Sequence, residues 1–538
     1  MIAIAGFKQY SDTVHEFFQL FKTPWEFYRE GKFYDVIIAD NSFSSPHDCK
    51  LLIIYSNEST IWDENSNVSI ENSNIESVLF DSFELPFYCK ASSLTGGNTI
   101  LSCQKSKKVI SAKTPDGSII RFGYNLFAET EAILSKGQPL SYGSTPTIDL
   151  HISFLRNTIV ETGITLIEIP PVPAGYSFFG CLTHDVDYIG IRSHVLDHSV
   201  AGFFYRAIPG SIINFFKRRI TLSILIRNLF AALSLPLVYL GIKKDFWRQF
   251  DWFIENEKEF PSTYFLSPFK NKAGDKNQSR MRAMRYQASD ISDIITELQA
   301  NGDEIGVHGI DSWHDEQKGK EELNQITSLT DCSSAGIRVH WLCSFEDTTK
   351  IIEAAGYDYD STTGYNEIPG FKAGTFQPYI PPGCTKLIEI PMHIQDCALF
   401  YPGRMNLTEK EAYPIFDKFI KLCSNMGGVL TCLWHQRSPG PERNWGNAYK
   451  FLIMNIKNSN GYFATCTQIA EWFRIRRQIE FNQIKENENS IQIQFENLKT
   501  ESVPPMLLRI YKKRKLAFEA PLTKNAYELY LNETISSF

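Results

Sequence analysis

Between Tyr176 and about Phe473 the chain repeats one pattern: a short uninterrupted apolar run, a polar turn, then a segment long enough for a helix. Uninterrupted runs predict strands covered on both faces, and their alternation with helix-length segments predicts βα units around a parallel sheet. The runs are 178–183, 262–266, 304–308, 336–340, 387–392 and 429–435. One intervening helix is predicted over 288–300, where Ile291, Ile294, Ile295 and Leu298 keep helical spacing. Several runs end in histidine or aspartate, and if the strands close into a barrel these ends share one rim.

The flanks read differently. Residues 1–172 alternate short apolar runs, such as 36–39 and 51–55, with Asn- and Ser-rich turns, which predicts a mixed α/β domain with no evident cluster of reactive groups. The segment 167–175 carries three prolines and reads as a joint. Beyond 475 the chain turns to strict alternation, as in 490–496, predicting a small β-rich module. The expected organisation is an N-terminal α/β domain (1–172), a barrel (173–475, with an insert at about 200–250) and a C-terminal β module (476–538).

Composition narrows the function. At 538 residues, 43% hydrophobic and 21% charged, the chain is an ordinary multi-domain globular protein. A net charge of -7 argues against a nucleic-acid partner. Eleven cysteines stand singly with no CxxC pair, which fits reduced thiols, and the first residues lack a secretory signal. The expected location is cytoplasmic, with a peripheral place at the inner membrane as the alternative. That alternative comes from the insert, where Lys217-Arg218-Arg219 lead into the apolar stretch 229–242 and then Lys243-Lys244. Its uninterrupted apolar part, about fourteen residues, falls short of the ~20 that span a bilayer. The expectation is a helical pair packed on the barrel, and the alternative an interfacial element over 212–244 whose basic flanks meet anionic lipid.

Candidate chemistry gathers at the strand ends. Thr183-His184-Asp185-Val186-Asp187 follows the run 178–183 and delivers two carboxylates that must be paired, bind a metal, titrate abnormally or cap a turn. His308 closes the run 304–308, and His314 follows six residues later, so the two could share a metal or be ordinary satisfied histidines. Leu433-Trp434-His435 ends the last run, with His435 either a general acid or part of an aromatic seal.

In order and spacing these segments resemble the polysaccharide deacetylase family, carbohydrate esterase family four, over roughly residues 176–440. The resemblance implies a (β/α)7-type barrel in which Asp185 is the catalytic base, Asp187 and His308 hold a divalent metal, Arg338 in 336–340 orients the base, and His435 is the acid. Zinc suits such ligands best. Where the family has a second histidine, four residues after His308, this chain has Ser312; the implied third ligand is His314, unless Ser312 holds a water or the metal is lost. Asp360 is the candidate for the aspartate that tunes His435. Lys372 and Asp396 could face the cleft and receive no role. The function implied is metal-dependent removal of an N-acetyl or other acyl group from an amino sugar, lipid-linked saccharides included, in polysaccharide or cell-envelope glycan metabolism. The rivals are a glycan-binding barrel without a metal and a deformylase or deacylase of a small metabolite.

Overall fold

The computed structural model of the chain describes residues 1–530 apart from 45–48, 72–73, 81, 104–107, 115–116, 196, 277–282, 331, 488–489 and 500–503. The parts of the expected C-terminal module at 488–489, 500–503 and 531–538 lie outside the described residues. The chain divides into two units, one comprising Tyr176–Gly370 with Gly383–Glu471, the other Met1–Gly175 with Phe371–Pro382 and Trp472–Phe538.

The first of these is the α/β barrel unit. Each predicted run contains a strand: Phe178–Asp185, Ser262–Leu266, Glu304–Gly309, Ile337–Val339, Ile388–Glu389 and Val429–Leu433. Three more strands, Tyr359–Asp360, Ile394–Gln395 and Gly461–Phe463, are too short to announce themselves by periodicity. All nine pair in parallel. The sheet runs from Ile388–Glu389 through Tyr359–Asp360, Ile337–Val339, Glu304–Gly309, Ser262–Leu266, Phe178–Asp185 and Val429–Leu433 to Ile394–Gln395. Gly461–Phe463 pairs with the start of Phe178–Asp185.

The sheet curls into a half-barrel, and one contact shows why it must. Arg338 Nη1 donates to Thr183 Oγ1 at 2.6 Å and Asp185 Oδ1 at 3.2 Å. Its strand lies three positions from theirs in the sheet, about 14 Å away if the sheet were flat. No arginine bridges that distance, so Thr183, Asp185 and Arg338 face a concave interior. His184, on the opposite side of the pleat, packs against Phe253 and Tyr449 of the outer helices Phe250–Asn256 and Gly446–Asn458. Gly336 is required by close approach, because a Cβ there would stand 1.9 Å from the Tyr359 ring.

The other unit is built on a sheet whose parallel part comprises Ile2–Ala5, Trp25–Phe27, Tyr34–Ala39, Cys49–Tyr55 and Ile119–Phe122. Antiparallel strands extend it from Val109–Lys113 outward. The alternating C-terminal residues form antiparallel strands of two small sheets, one of which includes Leu166–Glu168. None of the eleven cysteines, all among the described residues, is joined in a disulfide.

Candidate active site and metal centre

Four strand ends converge on a cleft of about 430 Å³ lined by Asp185, Asp187, His308, His340 and His435. Period-two alternation explains the first pair: Asp185 faces the interior at the end of its strand, and Asp187, two residues on, stays on that side. Across the sheet, His308 pairs in register with Arg338. The same two-residue step from Arg338 brings His340 to the cleft.

Asp187, His308 and His340 form a cluster whose ligand atoms all lie within 4.8 Å of one another. His308 Nε2 lies 3.3 Å and His340 Nε2 3.7 Å from Asp187 Oδ1. His308 Nδ1 is 3.0 Å from the Arg338 carbonyl oxygen, to which it donates, leaving the lone pair of Nε2 toward Asp187. Asp187 Oδ1 and His308 Nε2 are buried and have no hydrogen-bond partner among the described residues. Buried polar atoms left in that state are what a metal ion satisfies. One carboxylate oxygen and two imidazole nitrogens suit zinc, so these residues fit the implied ion.

The electrostatics agree. Burial works to raise the Asp187 carboxyl, but His308, His435 and His340 around it more than reverse that and hold it far below the usual range. Burial would lower His308, yet Asp185 and Asp187 draw it upward, so this point in the cleft favours positive charge. His340 is pushed down to about 4 by burial, against the pull of Asp187, and is a neutral imidazole at neutral pH.

Flanking this cluster are two further pairs. Asp185 is held by Arg338, whose Nε and Nη2 donate to the Ser361 carbonyl and hydroxyl at 2.9 and 2.8 Å, so the guanidinium is locked on both sides. His435 Nε2 stands 3.7 Å from Asp187 Oδ2, while its Nδ1 donates to Asp396 Oδ1 at 2.7 Å. Asp396 also accepts from the His435 backbone N–H at 2.9 Å and from the Ser438 hydroxyl. Burial would lower His435, but Asp396 and the neighbouring Cys397 raise it well above the ordinary value. Burial would raise Asp396, and His435 draws it down to about 2. His435 therefore carries its proton at neutral pH.

Asp185, Asp187, His308, Arg338 and His435 are thus brought together as the sequence suggested. His314 is not. Its Nε2 lies 2.9 Å from Asp311 Oδ1, outside the cleft lining, and His340 occupies the place expected for it. The cause is Glu322 in the helix Glu316–Thr330, which accepts from the backbone N–H of Ile310 and Asp311 at 2.9 and 2.7 Å and from the Ser312 hydroxyl. This folds the loop after His308 onto that helix and carries Ser312 and His314 away. Asp360 is likewise not the partner of His435: it accepts from the Thr362 N–H at 3.0 Å and lies in register with Glu389. The contact expected of it is made by Asp396. Lys372 belongs to the other unit.

No family model matches the chain, and no curated protein matches it. The solved structures it is similar to include carbohydrate and polysaccharide deacetylases, at low identity. A protein of Mycobacterium smegmatis described as a polysaccharide deacetylase is 18% identical, with a TM-score of 0.37, over 59% of this chain and 99% of that one. The carbohydrate deacetylase Agd3 is 8% identical, with a TM-score of 0.35, over 94% of this chain and 92% of its own. The polysaccharide deacetylase of Bacillus cereus is 12% identical, with a TM-score of 0.24, over 41% and 86%.

Proposed function

We propose that the chain is a metal-dependent hydrolase that removes an acetyl or related acyl group from the nitrogen of an amino sugar. The observation that carries this reading is the meeting, in one cleft, of the Asp187–His308–His340 cluster with an arginine-held carboxylate on one side and a carboxylate-held histidine on the other. Amide hydrolysis asks for those three functions: an electrophile for the carbonyl, a base for water and an acid for the departing amine.

A divalent metal at Asp187, His308 and His340, with zinc the best match, supplies a Lewis acid for the acyl carbonyl and acidifies water. Asp185 takes the water's proton while Arg338 keeps its carboxylate aimed into the cleft. As the water oxygen bonds to the acyl carbon and the C–N bond breaks, His435 gives its Nε2 proton to the amine nitrogen. Asp396, fixed to Nδ1, holds the ring in orientation and favours the imidazolium. The products are a carboxylic acid and a free amine. Aromatic side chains of Tyr188, Trp341 and Tyr401 line the cleft beside Asn366, Gln395 and Arg404. Apolar faces interleaved with amide and guanidinium donors are what a sugar ring with its hydroxyls requires.

The test is metal content by mass spectrometry together with acid released from N-acetylated and N-formylated amino sugars. Wild type should hold about one equivalent. Asp187→Ala, His308→Ala and His340→Ala should lose both metal and acid release, while His314→Ala keeps the metal. A wild-type protein that takes up no metal even from added zinc would overturn the reading in favour of a glycan-binding barrel.

A further inference from the structure

The insert between the strands Phe178–Asp185 and Ser262–Leu266 carries a surface that the catalytic reading does not use. Its helix Leu222–Tyr239 is, among the described residues, the one long and apolar enough to cross a bilayer. Its arrangement is that of a helix lying flat. Ala231, Ala232, Leu235 and Val238 pack into a core with Phe203 and Trp247. Asn228, on the same side, donates to Ser211 Oγ at 2.8 Å and accepts from the Glu442 N–H at 2.9 Å. The helix is therefore fastened to the barrel unit along its length.

The opposite side is also apolar. Leu222, Ile226, Phe230, Leu233, Leu237 and Leu240 are all exposed, and their spacing of three and four residues makes them one continuous stripe. Phe216, Leu233, Leu240 and Ile242 are each more than 70% exposed. A stripe of this length on a water-facing helix marks a surface meant to be covered. Its charge says by what. From 198 to 244 the sequence contains seven lysines and arginines and no aspartate or glutamate, in a chain whose net charge is -7. Lys217 and Arg218 stand exposed before the stripe, with Arg219 half-buried beside them, and Lys243 and Lys244 stand exposed after it. A second copy of the chain would set this acid-free basic segment against itself, whereas anionic headgroups neutralise it while acyl chains receive the leucines.

We infer that this helix face, with its basic flanks, docks on the surface of an anionic lipid bilayer. The segment leading into it also supplies His194, Asp197, His198 and Ser199 to the cleft wall, and Arg219 donates to the Asn406 carbonyl just beyond Arg404 of the cleft. Docking thus brings the cleft to the membrane surface. Resting on the function proposed above, this assigns the substrate to amino sugars carried on a lipid.

Co-sedimentation of the full chain with vesicles tests the docking without any turnover. Wild type should pellet with phosphatidylcholine vesicles containing phosphatidylglycerol, stay in solution with phosphatidylcholine alone, and be released by high salt or alkaline carbonate. Leu233→Ser with Leu237→Ser and Leu240→Ser, and separately Lys217→Glu with Arg218→Glu, should each lower partitioning by at least about tenfold, with wild-type thermal unfolding. Absence of wild-type binding, binding that both variants keep, resistance to carbonate, or a wild-type dimer that the leucine variant dissolves would each overturn the inference. The leucine variant should also hydrolyse a water-soluble amide at the wild-type rate but a vesicle-borne one more slowly. Vesicle binding without hydrolysis of any acylated amino sugar would sink the proposed function and leave the docking intact.

Discussion

At the scale of single residues, the site is a set of paired groups whose partners decide their protonation. Asp396 is the clearest. It holds His435 through Nδ1 and keeps the ring charged although the ring is mostly removed from water. Asp396→Asn keeps the shape and removes the charge, so His435 should shed its proton at lower pH. The expected outcome is a fall in kcat of roughly 10²-fold or more, with the alkaline limb of the pH–rate profile moved downward. A variant with a lower rate and an unmoved limb would make Asp396 a packing residue only. Asp185, Asp187, His308 and His435 were legible because each ends a strand-like run, and strand ends are where such sheets keep reactive groups. His340 lies at the end of the run 336–340 and was equally visible. The two-residue step that joins Asp185 to Asp187 also joins Arg338 to His340, and applying it there identifies the third member of the cluster. Asp396 could be placed near the cleft but given no role, since the strand before it, Ile394–Gln395, is only two residues long and Asp396 itself opens the helix Asp396–Phe400.

Among elements, the loop after His308 shows how a helix side chain edits a site. Glu322 projects from Glu316–Thr330 and gathers two backbone N–H groups and the Ser312 hydroxyl. No periodicity in 304–330 forecasts this, because the helix pattern marks Glu322 only as polar and says nothing of what it accepts. Burial pushes its carboxyl up to about 7, against the hydrogen bonds from Ser312, Asp311 and Ile310. A carboxyl whose folded value lies above its unfolded value of 4.5 gives stability that is complete below 4.5 and lost as pH rises through about 7. Glu322→Gln should flatten that slope. It should also lower stability by about 1–3 kcal/mol at acid pH, because the amide offers one acceptor fewer to the loop. Urea unfolding across this window measures both, and a slope unchanged in the variant would assign the pH dependence to other groups.

For the whole molecule, the cleft residues all belong to the barrel unit, yet that unit is not a continuous piece of chain. Residues Phe371–Pro382 leave it and belong with the N-terminal residues. There Phe371 and Phe376 are fully buried, Thr375 Oγ1 donates to Asp149 at 2.7 Å, and the Phe376 N–H donates to the same carboxylate at 2.8 Å. The proline-rich joint at 167–175 was readable as a boundary because proline excludes regular structure. The excursion at 371–382 was not: it too carries prolines, Pro378, Pro381 and Pro382, but nothing in the sequence says that its Thr375 and Phe376 meet Asp149, more than 220 positions earlier. Cutting the chain at the joint therefore strands this segment. The piece 176–471 produced alone should aggregate, its two phenylalanines exposed without the residues that bury them. Replacing 371–382 in that piece by a short Gly/Ser linker should give a soluble monomer by gel filtration. If the cleft is the property of the barrel unit, that monomer should bind about one equivalent of zinc. A soluble monomer that binds none would make the metal centre depend on the rest of the chain.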